Sequence, residues 1–456
     1  MRKHLPVLII LAASVIVHFL FYGHPNETVF DEVHFGKFIS GYFTGEYFFD
    51  IHPPLGKLLI SAVGYVNGFQ PGFSFAEIGQ KFPDNAYLWL RLLPTIAGIL
   101  LPLVIFYLAL EVGLSRLAAF AVGALAVLEN SLLTQSRFIL LDSFLLLFGF
   151  SSLFFYLKYR RINRTSLLIL TGIFGALAAS VKWTGAAFLA IPIIMEALRV
   201  LRSKEQIWVN LLLVKKFNLL VLPLAIYFAI FAIHLGLLNK SGPGDAFMTI
   251  AFQKSLKGNQ NQAHQEIKPL NLFEKFVELN LQMYKSNATL TATHPYSSHW
   301  YSWPFMVRPI YYWYQADTTT SDQLPATSSG SRIYFLGNPA IWWASTIAVF
   351  YLLISVLLRK LKADGSLWLL AGAYFFNLLP FIGIKRAMFL YHYLTALIFA
   401  ILILVYLLDK LPKRKTVFAA LIVASLITFI YFAPLSYGLP LTDKAYNARV
   451  WFPSWR

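Results

Sequence analysis

Long apolar blocks separated by polar breaks dominate the chain. Eleven can be marked, near 5–22, 87–110, 116–134, 138–157, 166–181, 184–200, 217–237, 339–358, 366–382, 387–408 and 416–433. About 20 apolar residues in a helix cross the ~30 Å hydrocarbon core of a bilayer, so each block is read as a membrane span. The predicted architecture is an all-α integral membrane protein, one polytopic domain over residues 1–456 with about eleven transmembrane helices. The first block follows Met1-Arg2-Lys3-His4 and resembles a signal peptide. His18-Phe-Leu-Phe-Tyr22, however, offers no small-residue cleavage site, so a retained anchor is expected.

Composition agrees. Of 456 residues, 58% are hydrophobic and 13% charged, whereas a soluble domain carries about 25% charged residues. An ordinary soluble globule is excluded. The absence of cysteine removes a disulfide framework, a thiolate metal site and a cysteine nucleophile. A net charge of +17 would suit a nucleic-acid partner until the charges are placed. Arg2 and Lys3 precede the first block; Lys158, Arg160, Arg161 and Arg164 follow the fourth. Arg199, Arg202, Lys204, Lys215 and Lys216 follow the sixth; Arg359, Lys360 and Lys362 the eighth; Lys410, Lys413, Arg414 and Lys415 the tenth. Every cluster therefore falls on one side. The positive-inside rule makes that side cytoplasmic, with the N-terminus inside and the C-terminus outside. The basic excess is a topology signal, and no nucleic-acid partner is expected.

Three outer segments remain: a first loop at 23–86, a long loop at 238–338 and a tail at 434–456, with short turns near 135–137, 182–183 and 383–386. In the first loop, Phe30-Asp31-Glu32-Val33-His34-Phe35-Gly36-Lys37-Phe38 suits an amphipathic helix at the interface. Asp31-Glu32 reads either as a solvated N-cap or as a general base beside the membrane. Asp50-Ile-His52-Pro53-Pro54-Leu-Gly-Lys57 predicts a turn and then a helix opened by Pro54. That helix N-terminus, with Lys57 beside it, is suited to an anion. Asp31, Glu32, His34, Asp50 and His52 could together hold a divalent metal, but no pair has a specific ligand spacing, and none is assigned.

The second constellation is cationic. Arg91, Arg137, Lys182, Lys385 and Arg386 stand at outer ends of blocks, with Tyr391, His392 and Tyr393 just beyond. Positive charge is disfavoured on that side, so it needs a reason. Pairing with Asp142 or Glu129 and snorkelling to headgroups are two; a shared pocket for a carrier phosphate is a third. In the long loop, the block from His294 to Trp313, with Trp303 and Arg308, suits either sugar stacking or interfacial anchoring. Residues 315–332 read as a flexible segment, and Phe273–Tyr284 as another surface helix.

Taken in order, Phe30-Asp-Glu-Val-His-Phe-Gly-Lys37, Phe49-Asp-Ile-His-Pro-Pro-Leu-Gly-Lys57, Arg91-Leu-Leu-Pro94, Ile139-Leu-Leu-Asp-Ser143 and Ser180-Val-Lys-Trp183 resemble the protein O-mannosyltransferases. So do His294-Pro-Tyr-Ser297 through Trp303-Pro304, Gly337-Asn-Pro-Ala-Ile-Trp-Trp343 and Phe389-Leu-Tyr-His-Tyr393. The resemblance spans nearly the whole chain. It implies a GT-C glycosyltransferase that moves mannose from a polyprenyl-phosphate carrier to Ser or Thr of exported proteins; one base with a cation cluster fits a single inverting displacement, and no cofactor is expected to be required. It places the family's acid pair on Asp31, the expected base, and on Glu32, expected to position peptide or sugar. Arg91, Arg137, Lys182, Arg386, Tyr391 and His392 are the expected donor-site residues; Asp50, His52, Asp142, Trp303 and Arg308 are further candidates. Eukaryotic members carry a β-trefoil in the long outer loop, for which about 100 residues leave no space. The resemblance is thus to a bacterial-type member in the cytoplasmic membrane, the endoplasmic reticulum being the alternative. Rival readings are a lipid-modifying transferase of the aminoarabinose type and a lipid-linked-sugar transporter. The oligomeric state is left open.

Overall fold

The computed structural model describes residues 4–202, 214–263, 266–291, 293–316, 329–361 and 363–456. Arg2, Lys3, Lys204, Lys362 and positions 317–328 of the segment read as flexible lie outside them.

Helices stand at all the apolar blocks: α1 (Leu5–Phe19), α4 (Tyr87–Glu111), α5 (Arg116–Val127) with α6 (Asn130–Ser136), α7 (Asp142–Ile162), α8 (Thr165–Val181), α9 (Ala187–Arg202), α10 (Leu222–Leu237), α12 (Pro339–Leu357), α13 (Gly365–Leu378), α14 (Leu394–Asp409) and α15 (Arg414–Tyr437). Among the described residues, six helices are long and apolar enough to cross a membrane, or seven if the bent pair α5–α6 counts as one. The outer-loop helices are α2 (Glu32–Thr44) and α3 (Leu55–Val66) in the first loop and α11 (Leu272–Thr289) in the long loop, as the periodicity predicts. Pro54 stands immediately before α3, and Asn271 with Glu274 closes a capping box on α11.

Two features correct the sequence expectation. The chain is not all-α. The long loop contributes β1 (Ile310–Ala316) and β2 (Ser329–Phe335), and the tail adds β3 (Pro440–Thr442), in an antiparallel sheet of order β1-β2-β3. Gln315, Ala316 and the residues from Ser329 to Arg332, read as flexible, belong to these strands. The aromatic run Tyr311-Tyr-Trp-Tyr314 carries the strand propensity that favours this. Second, the third block is not one helix: α5 and α6 meet at 57°. Glu129 caps α6 by accepting from Ser131 N, and Asn338 donates its amide to Leu128 O at 2.9 Å. Backbone groups freed at the break are thus repaired by a side chain, which membrane depth requires.

Helix α14 is the central post. Every residue from Leu394 to Tyr406 is buried, and α5, α12, α13 and α15 pack around it. On the opposite side α4, α7 and α8 pack together, with α2 and α3 over them. The outer loops, the turns at α6–α7 and α8–α9 and the start of α14 therefore converge at one end of the bundle.

Candidate active site

Asp31 ends the turn that opens α2. Its carboxylate makes no capping bond and no hydrogen bond to another side chain among the described residues, and it is half-buried. Burial pushes its carboxyl up to about 7; the Lys182 ammonium opposes this, while the Asp142 and Asp50 carboxylates add to it. Three carboxylates therefore share a neighbourhood, and two of them are paired. Lys182 Nζ donates to Asp142 Oδ1 at 2.8 Å and Oδ2 at 2.9 Å. Lys57 is bonded to Asp50 and donates to His52 O at 2.9 Å. Asp31 is the one left unpaired.

Among the expected donor-site cations, Arg386 is likewise without a hydrogen bond or ion pair among the described residues, and its charge acts on His52, Tyr391 and His392. Burial holds the His52 imidazole well below its usual range, with Lys182, Lys57 and Arg386 adding to that, so it is neutral. Tyr391 receives Lys182 Nζ over its ring at 5.0 Å and stacks on His392 at 4.5 Å, and His392 stacks on the buried Trp303 at 5.8 Å. Asp31, Asp50, His52, Asp142, Lys182, Arg386, Tyr391 and His392 are thus brought together, with Trp303 behind them.

Other expected residues lie elsewhere. Glu32 points away from its neighbour Asp31, because successive residues on a helix do not share a face. It accepts from Arg91 Nε at 2.8 Å and Nη2 at 2.7 Å, Val29 N at 2.8 Å and Ile139 N at 2.9 Å. Its oxygens are used up by the fold, so the role of positioning peptide or sugar is corrected to one of holding the loop. Arg91 is corrected with it. Its remaining donors reach Gly23 O, Pro25 O and Glu27 O, leaving none for a phosphate, and both side chains are 0% exposed. Arg137 is buried against the Tyr437 ring at 4.5 Å and donates to Phe21 O and Ser436 O, away from Asp31. Arg308 ties Pro295 O to Ser454 O across the outer surface. Lys57 does not open an anion site, because its ammonium is spent on Asp50 and on the His52 and Pro53 carbonyls.

Sequence reasoning missed Gln135 and Tyr312. Gln135 Nε2 donates to Asp142 Oδ2 at 2.7 Å and Gln135 Oε1 accepts from Tyr312 OH at 2.5 Å. The available signal for Gln135 was a polar residue at the end of an apolar block, two positions before Arg137 and seven before Asp142. No three His, Asp or Glu side chains among the described residues converge as a metal site.

The fold matches that of solved membrane glycosyltransferases. The Saccharomyces cerevisiae protein O-mannosyltransferase Pmt1–Pmt2 complex bound to the sugar donor superposes over 100% of this chain and 93% of that one, with a TM-score of 0.89 at 21% identity. The Archaeoglobus fulgidus oligosaccharyltransferase AglB superposes over 99% of this chain and 58% of that one, with a TM-score of 0.52 at 14% identity. This is the GT-C architecture. In sequence, residues 8–239, just over half the chain, match the dolichyl-phosphate-mannose-protein mannosyltransferase family profile, and 272–455 match the C-terminal four-transmembrane region of protein O-mannosyltransferases. The chain belongs to the protein O-mannosyltransferase family. Dolichyl-phosphate-mannose–protein mannosyltransferase 1 of Candida albicans is 39% identical over 251 residues, 52% of this chain and 28% of its own length. Protein O-mannosyl-transferase 2 of Danio rerio is 36% identical over 272 residues, 56% of this chain and 36% of its own length. The chain thus spans about a third of the curated relatives it matches.

Proposed function

We propose that the chain transfers mannose from a polyprenyl-phosphate or dolichyl-phosphate carrier to Ser or Thr hydroxyls of exported proteins. The observation that carries this is the unpaired, half-buried Asp31 facing the Lys182–Asp142 pair, with Tyr391 between it and the Arg386 charge as a shared neighbour. A hydroxyl is a poor nucleophile until a base takes its proton in the transition state, and a base with a proton affinity near neutral does this best. Asp31, pushed up to about 7, has that affinity. The hydroxyl oxygen attacks the anomeric carbon, the bond to the carrier phosphate breaks, and the proton goes to Asp31. The leaving group is already a weak base, so it needs positive charge rather than a proton. Arg386 supplies a fork and Lys182 its remaining N–H, in a site where water is scarce. One base with a cation cluster fits a single displacement with inversion. Tyr391 and His392, backed by the buried Trp303, form the aromatic wall on which the sugar would rest.

The eleven-span reading puts this site at the outer face, with the N-terminus cytoplasmic and the C-terminus outside. The compartment is the cytoplasmic membrane for a bacterial-type chain, or the endoplasmic reticulum membrane otherwise. Membranes containing the protein, given radiolabelled polyprenyl-phosphate mannose and a Thr-rich peptide, should label the peptide. Asp31→Asn should bind donor and lower transfer at least ~100-fold. Label appearing on lipid and never on peptide would replace this reading by the lipid-acceptor one.

A further inference from the structure

Tyr312 occupies an irregular place. The β1–β2 register pairs Tyr311 with Tyr334 and Trp313 with Ile333, so Tyr312 is the extra residue of a bulge. A bulge breaks the alternation of strand side chains and re-aims one of them; here Tyr312 and Trp313 are both buried in sequence. The re-aimed ring lies on Phe30, the residue before Asp31, with centroids 4.0 Å apart and planes at 6°. Phe30 N also donates to Tyr312 O at 3.1 Å. Phe30 needs this support, because its φ of 48° is left-handed and unfavourable for a large side chain.

The other end of Tyr312 reaches the opposite side of the site. An ionised Asp142 only accepts, so Gln135 must present its NH2 there and its carbonyl to Tyr312. The Tyr312 hydroxyl must then donate, as its bond to Gln135 Oε1 at 2.5 Å requires. Asp142 in turn holds two of the three Lys182 N–H donors. One continuous path thus runs Phe30–Tyr312–Gln135–Asp142–Lys182, from the backbone of the base to the ammonium on the phosphate side.

We propose that Tyr312 and Gln135 are positioning residues that lock Asp31 and Lys182 into one geometry, so that docking of the long outer loop through β1 assembles the base and the cation together. The inference rests on the function proposed above. Neither residue touches the reacting atoms; each acts through its neighbour. Tyr312→Phe keeps the ring on Phe30 and removes only the hydroxyl, and Gln135→Leu removes the amide at similar volume.

The test is a double-mutant cycle on the full-length enzyme in membranes, reading kcat, donor KM and acceptor KM. Each single variant should lower kcat about ten-fold with both KM values within about two-fold. The double variant should also fall about ten-fold rather than a hundred-fold, because the two changes break one path. The pH profile gives a second readout. The groups facing Asp31 are Lys182, Asp142, Asp50 and the Tyr312 and Tyr391 phenols. Losing the Gln135–Asp142 bond leaves more of the Asp142 charge to act on Asp31, so the acid limb of kcat/KM should move to higher pH in Gln135→Leu. Multiplicative losses, an unmoved acid limb or a Tyr312→Phe enzyme within two-fold of wild type would overturn the relay alone. Should Tyr312→Phe fail to accumulate, Gln135→Leu carries the kcat and pH tests by itself. If the wild type transfers no mannose, the functional reading fails and the relay fails with it.

Discussion

Asp31 and Glu32 are adjacent in sequence and share a charge, yet their surroundings give them opposite behaviour. Glu32 accepts four hydrogen bonds, two of them from Arg91, whereas Asp31 has only nearby charges and burial. An acid whose folded proton affinity is raised is most stabilising when protonated. Its contribution is therefore complete below the unfolded value of ~4 and is lost as pH rises toward about 7. Asp31→Asn, which cannot ionise, should melt at or above the wild-type temperature at pH 8, and the two curves should converge near pH 4. With Asp31 as the proposed base, activity has the reverse sign, since a base must be ionised: kcat/KM should rise through about pH 7 in the wild type. Thermal unfolding in detergent alongside a pH–rate profile reads both. An Asp31→Asn protein less stable than wild type at pH 8 would mean that the carboxylate is held by the fold after all.

The Glu32–Arg91 pair belongs to the scale of elements, because it fastens the start of α2 to the outer end of α4 and, through Ile139 N, to the turn before α7. Removing one partner of a buried pair leaves the other charge uncompensated, at a cost of about 3–5 kcal/mol. Glu32→Gln should therefore lower the melting temperature by several degrees where Asp31→Asn does not, and equal melting of the two would sink the distinction. Which of two neighbouring acids is structural was not legible in the sequence, since the partner lies 59 positions away. The helices were legible: each needs only its own apolar run or, for α2 and α11, its own period. The bend at Glu129-Asn130 was not, because hydropathy averages over the break, and the group that repairs it, Asn338, comes from the far side of the long loop. The sheet was missed for a similar reason. Its aromatic residues read equally as anchors or platforms, and β2 and β3 supply the pairing from 14 or more residues away.

At the scale of the whole molecule the functional reading depends on sidedness. A carrier-linked sugar and an exported acceptor meet Asp31 only if the first loop, the long loop and the tail share one side. The basic clusters argue for this, as do the contacts of the site, which join Phe30 in the first loop to Tyr312 in the long loop and Lys182 in a short turn. Among the helices at the apolar blocks, however, α1 and α8 are shorter apolar helices, and a span that turned back within the bilayer would reverse everything after it. The chain has no cysteine, so single cysteines can be introduced on a clean background and labelled with a membrane-impermeant maleimide. Arg161→Cys, Lys216→Cys and Lys413→Cys should react only after the cytoplasmic face is opened. Tyr301→Cys and Trp451→Cys, both exposed in the structure, should react from outside in sealed cells or right-side-out vesicles. Because the probes separate the spans into successive groups, the first misplaced reaction along the chain identifies the group in which the count fails. Labelling of Trp451→Cys only from the cytoplasmic side, with Tyr301→Cys still outside, would leave Asp31 on the outer face and cost the count one span after the long loop. Labelling of Tyr301→Cys only from the cytoplasmic side would remove the acceptor from reach of Asp31 and end the case for an exported substrate.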